Sequence, residues 1–417
     1  MRHPQFILCL FLLLYGAGTS GQEIRGIRFE GLKKTKVDYL AQFVKSKPGI
    51  RLDSTLLEQD RQRLANLEML ANATFEVATS DGKAEVTFMC TEVATLLPLF
   101  NFGGVEGNVW FLLGMSEANL RGEGHKFFGF YQYYDRSSVS TSLFLDRLNR
   151  SNWGLLLNFV KWGTTEPLFF DDGTATFDYD NFTYGAGAVY HFSFLSNLEL
   201  STAYFTEEYN RVDNAPIEGA PDRAKTRKQL YKVIHRLNKL NYHYYYLKGF
   251  SHTLNVEMVS SWDGDPGFQI VFNDFRVFHR TQNRGNIANR VRAGISTNRD
   301  NPFAPFVLDS YVNIRGVGNR VDRGTAMFIM NNEYRQTVYD RNWLAAQVVG
   351  FSDFGTWRSP GGDFSELVDR DSFEWFVGGG IRLIHKKIFN AIARIDYGVD
   401  MKQPRRNGFV IGVGQYF

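Results

Sequence analysis

The sequence predicts a membrane all-β fold, a sixteen-stranded transmembrane β-barrel preceded by one small α+β domain. From about residue 105 to residue 417, runs of roughly ten alternating residues are separated by turn signals, a pattern typical of membrane barrels. No internal run reaches the roughly 18 apolar residues that a membrane helix needs. Aromatic residues make up 15% of the chain, and 39 Gly stand against 11 Pro, a composition that suits strands and tight turns.

Residues 1–21 have the pattern of a secretory signal peptide. Arg2 and His3 precede the apolar run Phe6–Tyr15, and small residues follow it. A first buried helix is the alternative, but the run is short and ends in small residues. Removal of this segment would leave Cys90 as the single cysteine, so no intramolecular disulfide is expected.

Residues 22–95 are predicted to form a separate β-α-α-β-β domain. Asp53 is a good N-cap for its second helix, and Ser80-Asp81-Gly82-Lys83 is a hairpin signal between its last two strands. Cys90 lies between apolar neighbours and is interpreted as a packed thiol. The predicted elements are a strand over 24–29, helices over 36–45 and 53–67, and strands over 73–79 and 84–91.

Residues 105–417 are predicted to form the barrel. The boundaries within 164–181 and within 227–262 stay open, although a divide near Leu237-Asn238 is favoured. If both ends of the barrel lie on one side of the membrane, long loops should follow odd-numbered strands, and 164–181 breaks this rule. The predicted strands cover 105–115, 126–134, 139–146, 153–162, 182–192, 198–209, three runs between 227 and 262, 268–280, 287–298, 326–337, 343–351, 373–384, 389–399 and 408–417.

The last strands separate apolar from charged residues. Trp375, Ile381 and Leu383 share one face of their strand, and Glu374 and Arg382 share the other. We assign the apolar face to lipid and the charged face to the lumen, because a charge at mid-depth on the lipid face costs a few kcal/mol. A soluble β-sandwich, in which apolar faces meet each other, is the alternative.

A loop of about 25 residues precedes the strand that begins near residue 326. It is rich in apolar residues, including Phe303 and Phe306, so we expect it to pack against the barrel rather than to be disordered. The motif Ile314-Arg315-Gly316 lies within it. Two strand motifs follow, Glu333-Tyr334-Arg335 and Phe351-x-Asp353-x-Gly355.

In this order the three motifs resemble the sixth loop, strand twelve and strand thirteen of the BamA/TamA superfamily of outer-membrane barrels. The resemblance implies that the loop folds back into the lumen and that Arg315 pairs with Asp353, with Glu333 as the competing partner. A guanidinium withdrawn from water needs a carboxylate, which fits this implication. One departure is Val317, where the family usually has an aromatic residue. The alternative is an Arg-Gly pair in an ordinary surface loop.

The two ends of the chain carry further resemblances. The steps Phe29-Glu30-Gly31-Leu32 and Lys47–Asp53 resemble a POTRA domain, the periplasmic module of the same superfamily. This implies a sheet edge that receives client chains by strand addition. The last strand, with Gly412, Gln415 and a terminal Phe417, resembles a C-terminal targeting signal.

The resemblance implies a protein that assists the insertion and assembly of other β-barrel proteins. Its expected location is the outer membrane of a Gram-negative-type bacterium, with the N-terminal domain in the periplasm. A two-partner-type secretion pore and a passive channel are the alternatives. Expected partners are unfolded outer-membrane protein clients, outer-membrane lipid and accessory assembly subunits. A net charge of +3 gives no reason to expect nucleic acid. No enzyme motif is found, and no cofactor or metal is expected.

Overall fold

The computed structural model describes residues 22–105, 108–170, 172–213, 216–243, 245–298, 304–310, 312–318 and 322–417. The predicted signal peptide and Phe303 lie outside these ranges. The described residues form a small N-terminal domain and a closed barrel of sixteen strands. No helix within them has the length and apolar character needed to cross a membrane.

The N-terminal domain has the predicted β-α-α-β-β order. Within the described residues its sheet has the strand order β1 (Glu23–Glu30), β3 (Lys83–Glu92), β2 (Leu70–Ser80), with β1 parallel to β3. Asp53 caps the second helix, since its carboxylate accepts hydrogen bonds from the backbone N–H groups of Thr55 at 2.8 Å and Leu56 at 3.3 Å. The elements are β1 (Glu23–Glu30), α1 (Val37–Leu40), α2 (Ser54–Ala65), β2 (Leu70–Ser80) and β3 (Lys83–Glu92).

The first helix is much shorter than the predicted range 36–45. After α1 the chain makes a 3₁₀ turn over Ala41–Phe43 and then becomes extended. The backbone N–H groups of Lys45 and Ser46 donate to the buried carboxylate of Asp60 on α2, at 2.8 and 2.9 Å. These bonds replace the helical ones, so the helix ends early.

Cys90 is buried in the core of this domain, as its sequence context predicts. Burial and the nearby Glu92 carboxylate raise the pKa of its thiol to about 11, so the thiol stays protonated and inert near neutral pH. The surrounding core includes Ile24, Leu40, Leu57, Leu64, Val86 and Phe88.

The barrel is antiparallel throughout, and the last strand closes on the first. The long loop between its eleventh and twelfth strands contains two short strands of its own. The barrel strands are β4 (Leu96–Val105), β5 (Asn108–Leu120), β6 (His125–Tyr134), β7 (Arg136–Leu145), β8 (Trp153–Phe170), β9 (Gly173–His191), β10 (Ser196–Arg211), β11 (Arg223–His243), β12 (Tyr246–Ser261), β13 (Phe268–Arg280), β14 (Gly285–Ser296), β17 (Ala326–Arg341), β18 (Leu344–Arg358), β19 (Phe373–His385), β20 (Ile392–Asp400) and β21 (Asn407–Val413), and the loop strands are β15 (Phe306–Leu308) and β16 (Asp322–Gly324).

The predicted strand number is correct, but two assignments behind it are wrong and cancel each other. The barrel begins at Leu96 rather than at residue 105, because β4 was missed. Between 227 and 262 the structure has parts of two strands rather than three. The favoured divide at Leu237-Asn238 lies inside β11, where both residues continue the pairing with β12.

Adding β4 also removes the anomaly at 164–181. This stretch is the extension of β8 and β9, which pair from Trp153↔Tyr190 to Phe170↔Gly173. Strand β8 is the fifth barrel strand, so the turn that follows it obeys the rule for odd-numbered strands.

The barrel has an apolar outer face and a charged inner face. Ile381 and Ile395 are each 54% exposed, whereas Arg382 and Asp396, one position along on the same strands, are 0% and 1% exposed. In these last strands the apolar residues therefore face outward and the charged residues face the lumen, and the contact of the outer face with lipid stays a prediction.

The N-terminal domain docks against the barrel turns that follow even-numbered strands, an end called here the domain end. The backbone N–H of Lys36 donates to the carbonyl of Gly122 at 2.9 Å. The hydroxyl of Tyr39 donates to Asp146 at 2.9 Å. On the other side, the side chain of Asn66 donates to Asn241 at 3.3 Å. The domain therefore contacts turns on two sides of this end.

Gly124→Ala is expected to loosen this docking. A Cβ at Gly124 would lie 1.9 Å from the Tyr39 hydroxyl, and the backbone there has a φ of +67°. Crosslinking between Asn66→Cys and Asn241→Cys should fall roughly fivefold, because a side chain at a strained, crowded site costs more than about 1 kcal/mol. Gly82→Ala is the control, since Gly82 has a φ of +75° but open space around it. Equal crosslinking in both variants would contradict the expected role of Gly124.

Candidate functional site: the loop anchored in the lumen

The long loop between β14 and β17 packs inside the barrel. Its short strands β15 and β16 pair with each other. Apolar loop side chains pack on inward-facing residues of the barrel wall, as their abundance in the loop predicts. This cluster contains Phe306, Leu308, Ile314 and Val317 of the loop together with Met327, Ile329 and Phe376 of the wall.

Arg315 is completely buried at the tip of this loop. Its Nε and Nη2 atoms donate to the two carboxylate oxygens of Asp353, at 2.8 and 2.9 Å. Its backbone N–H donates to the same carboxylate at 3.0 Å. Its Nη1 atom donates to Glu333. The two candidate acids therefore do not compete, because each binds a different edge of the guanidinium.

The acids are themselves held by a wider network. Asp353 accepts a further bond from the side chain of Asn331 at 2.9 Å, and Glu333 accepts one from Arg335. Arg382 lies 3.6 Å from Glu333 and 2.7 Å from Asp396. Because these groups are removed from water, each charge depends on its partners, and the loss of one leaves others unpaired.

Two aromatic rings enclose the Arg315 guanidinium. Its central carbon lies 3.7 Å from the ring centroid of Phe351 and 4.4 Å from that of Tyr416. A cation between two ring faces is stabilised by both quadrupoles. The Tyr416 hydroxyl also donates to the backbone carbonyl of Ser310 at 3.0 Å. Tyr416 thus supplies an aromatic contact at the loop tip, where Val317 supplies only aliphatic packing.

Glycines allow the loop tip to approach the wall. Gly316 has a φ of +94°, and a Cβ on Gly398 would lie 2.3 Å from the carbonyl oxygen of Arg315. Gly378, Gly398 and Gly408 are consecutive register partners across β19, β20 and β21. Gly355 has a related role, since a Cβ there would lie 2.5 Å from Ile314.

Sequence reasoning missed Gly378, Gly398, Gly408 and Tyr416. The usable signal was the presence of a glycine in each of the last three strands. Aligning those glycines requires the strand register, which the sequence pattern does not give.

The C-terminal residues differ from the prediction. The last strand was expected over 408–417, but β21 ends at Val413, and Gly414 turns the chain with a φ of +91°. Gln415 then accepts a bond from Arg382 at 3.3 Å. Phe417 is buried against Phe278. Its side chain therefore lies in the barrel interior, and its role in targeting stays a prediction.

Gly412 lies in β21 next to the first strand. A Cβ at this position would come within 2.0 Å of the Asn101 side-chain oxygen. That oxygen accepts a bond from the backbone N–H of Val413 at 3.0 Å. Gly412 therefore leaves room for the Asn101 side chain, which accepts a hydrogen bond from the last strand across the barrel closure.

Removing either partner of the central pair should weaken the fold. Arg315→Ala and Asp353→Ala should each lower the free energy of unfolding by roughly 3–5 kcal/mol, because an unpaired charge stays buried. The double variant should be no worse than the worse single variant. Urea unfolding followed by tryptophan fluorescence would measure all three.

Lys225→Ala is the control for this series. Its ammonium lies 3.7 Å from Glu208 in an exposed pair, and such pairs contribute little to stability. Additive losses in the double variant, or single variants as stable as the control, would show that Arg315 and Asp353 do not act as a unit.

Gly398→Ala should displace the loop tip without removing any charge. The new methyl group would overlap the Arg315 carbonyl, so proteases should cut within 304–325 faster than in the unmodified protein. Gly350→Ala is the matched control on the neighbouring part of the barrel, since no atom lies within 4 Å of a Cβ placed there. Identical cleavage rates in the two variants would refute the proposed close approach.

Comparisons with known proteins agree with this architecture. Residues 22–92 match the family model POTRA, described as surface antigen variable number repeat. The structure of BamA from Haemophilus ducreyi lacking POTRA domains 1-3 aligns with a TM-score of 0.54 at 14% identity, covering 94% of this chain and 84% of that one. CdiB from Escherichia coli aligns with a TM-score of 0.60 at 13% identity, covering 94% of this chain and 76% of that one. CdiB from Acinetobacter baumannii aligns with a TM-score of 0.58 at 12% identity, covering 94% of this chain and 74% of that one. The chain therefore shares the barrel fold of BamA and CdiB, and a POTRA domain precedes its barrel.

Proposed function

We propose that this protein assists the insertion and assembly of other β-barrel proteins into the outer membrane of a Gram-negative-type bacterium. The POTRA domain lies in the periplasm, and the domain end of the barrel faces it. Unfolded outer-membrane proteins are the clients, and no covalent reaction is catalysed. The observation that carries the proposal is the short pairing between the first and last barrel strands, called here the seam.

The seam joins β4 to β21. Among the described residues it has three register pairs, Phe409↔Gly104, Val410↔Gly103 and Ile411↔Phe102. On its other side β21 has seven pairs with β20, and β8 and β9 share eighteen. Fewer backbone hydrogen bonds have to break here than at those two junctions. An opened seam exposes two strand edges, which can template a client strand.

The POTRA domain offers a second edge. Within the described residues β2 pairs with β3 alone, so its other edge is free to accept a strand. It is 11 residues long, enough for several main-chain hydrogen bonds to an extended client segment. The two edges support a path in which a client binds first to the domain and then to the seam.

The filled lumen fits the alternatives less well. A passive channel gains nothing from a loop held inside it by the Arg315 network. A two-partner-type secretion pore moves its partner through the lumen, so the buried bonds of Arg315 would have to break during each transport event. Assembly at the seam leaves this network intact.

Locking the seam should stop assembly. Phe102 and Ile411 are register partners across it, so Phe102→Cys combined with Ile411→Cys places two thiols for oxidation. Insertion of a client barrel into proteoliposomes should fall at least about tenfold on oxidation, since the client can no longer reach the edges. Reduction should restore it.

Ile395→Cys combined with Ile411→Cys is the matched control. It links Ile411 to its register partner on β20, so it adds a crosslink to the same strand without closing the seam. Undiminished client insertion after a complete seam crosslink would refute the proposal. Loss of export of a partner protein, with client insertion unaffected, would favour the secretion pore.

A further inference from the structure

A cavity of about 500 Å³ lies between the POTRA domain and the contents of the lumen. We call it the vestibule. Leu70 and Ala71 line the POTRA side of the vestibule, and they lie at the start of β2, the strand whose outer edge is proposed to bind clients. Val312 of the anchored loop lines it from the lumen. Asn101 of β4 and Val413 of β21 also line it, so the vestibule borders both the POTRA edge and the seam.

Positive charge predominates in the vestibule wall. Glu68 is the single acidic side chain among its described lining residues, and it is paired with Lys126 at 2.7 Å. The cationic lining residues are Arg276, Arg290, Lys386 and Arg394.

Lys386 and Arg394 each have an acidic partner, Asp340 at 2.5 Å and Asp396 at 3.3 Å, whereas Arg276 and Arg290 depend on one shared carboxylate. Asp274 lies 3.0 Å from Arg276, 2.5 Å from Arg290 and 3.5 Å from Arg292. Asp274 is therefore shared by three arginines, of which Arg292 also interacts with Asp309. A local excess of cations inside a barrel favours an anionic ligand.

Two lining groups also have unused donors. Arg394 is 4% exposed, and its Nε atom has no hydrogen-bond partner in the part of the chain that the structure describes. The same holds for the side-chain nitrogen of Gln415. Buried donors without acceptors are unfavourable, so a ligand that brings acceptor oxygens would relieve that cost.

The rest of the lining is apolar and aromatic. Leu240, Phe278 and Phe417 belong to one packed cluster that lines the vestibule. Tyr242 and Leu247 extend that surface. A ligand that fits this wall has apolar side chains close to its anionic group.

We propose that the vestibule binds an extended client segment that carries carboxylate side chains next to aromatic ones. This inference rests on the proposed function and names the class of client segment. A peptide is a better ligand for this cavity than a lipid, because the vestibule lies between the edge of β2 and the seam. Both edges are proposed to form main-chain hydrogen bonds with a client. Its lining belongs to the barrel interior and the POTRA domain rather than to the outer belt. The vestibule then selects acidic, aromatic segments on their way from β2 to the seam.

Peptide binding tests this directly. Two fluorescein-labelled peptides, Gly-Ser-Glu-Phe-Glu-Phe-Ser-Gly and its twin with Lys in place of Glu, are titrated with the full protein in nanodiscs of neutral lipid. The acidic peptide should bind at least about tenfold more tightly at low salt, because the wall is cationic. Arg276→Gln combined with Lys386→Gln should reduce that affinity at least about tenfold, because two lining charges are lost.

Arg280→Gln combined with Lys387→Gln is the matched control. It removes the same charge at the same end of the barrel, from exposed residues outside the vestibule lining. Affinity for the acidic peptide should not change. Equal affinity for the two peptides, or equal losses in the two double variants, would overturn the proposal. Displacement of the label by dodecyl phosphate but not by unlabelled acidic peptide would also overturn it, in favour of a lipid.

Client insertion in the same preparations separates the two proposals. Arg276→Gln with Lys386→Gln should slow insertion of a client rich in acidic, aromatic strands. Normal insertion by this variant, despite weaker peptide binding, would overturn the client assignment and leave the proposed function intact. Failure of the unmodified protein to insert any client would overturn the proposed function, whereas charge-selective peptide binding would still support the acidic-peptide site.

Discussion

The buried charge of Arg315 is the constraint on which the arrangement of the lumen depends. A guanidinium with no exposure to water must be matched by carboxylates at hydrogen-bond distance. Glu333 and Asp353 come from neighbouring strands, β17 and β18, and both point inward. The register pairs Asn331 with Asp353, so Glu333 lies two residues further along the same face. The register of the sheet therefore places Glu333 and Asp353 where each can bind a different edge of the Arg315 guanidinium.

The position of the loop follows from this ion cluster and from Gly378, Gly398 and Gly408, which are register partners across β19, β20 and β21. Backbone at Gly316 contacts backbone at Gly398, so the tip lies against the strands that lead to the seam. The inward turn at Gly414 then places Tyr416 on the other side of Arg315. Loop tip, final strands and C-terminal residues form one packed unit. Movement is therefore easier at the short pairing of β21 with β4 than in the lumen itself.

Much of this architecture follows from local pattern, and the errors have physical causes. Strand β4 was missed because its apolar run contains Pro98 and does not alternate between apolar and polar residues. A proline is tolerated there because β4 lies at the seam, where few backbone hydrogen bonds are made. Strand β11 was divided at Asn238 because a polar residue inside a long strand looks like a turn. The motif around Arg315, Glu333 and Asp353 was accessible through its resemblance to a family. The contacts of Tyr416 were not, since they join the C-terminal residues to a loop about 100 positions earlier in the sequence.

Charge is distributed unevenly along the lumen. Around Arg315, Glu333 and Asp353 bind the guanidinium, and Arg335 and Arg382 pair with acids of the same network. Nearer the POTRA domain, Asp274 is shared by three arginines, two of which line the vestibule. On the proposed path, the arginines attract an acidic segment from the domain end as far as the vestibule. Beyond it, the segment meets a loop whose charges are already satisfied by each other. The lumen favours entry and opposes passage, and the bordering seam is the exit with the fewest backbone bonds to break.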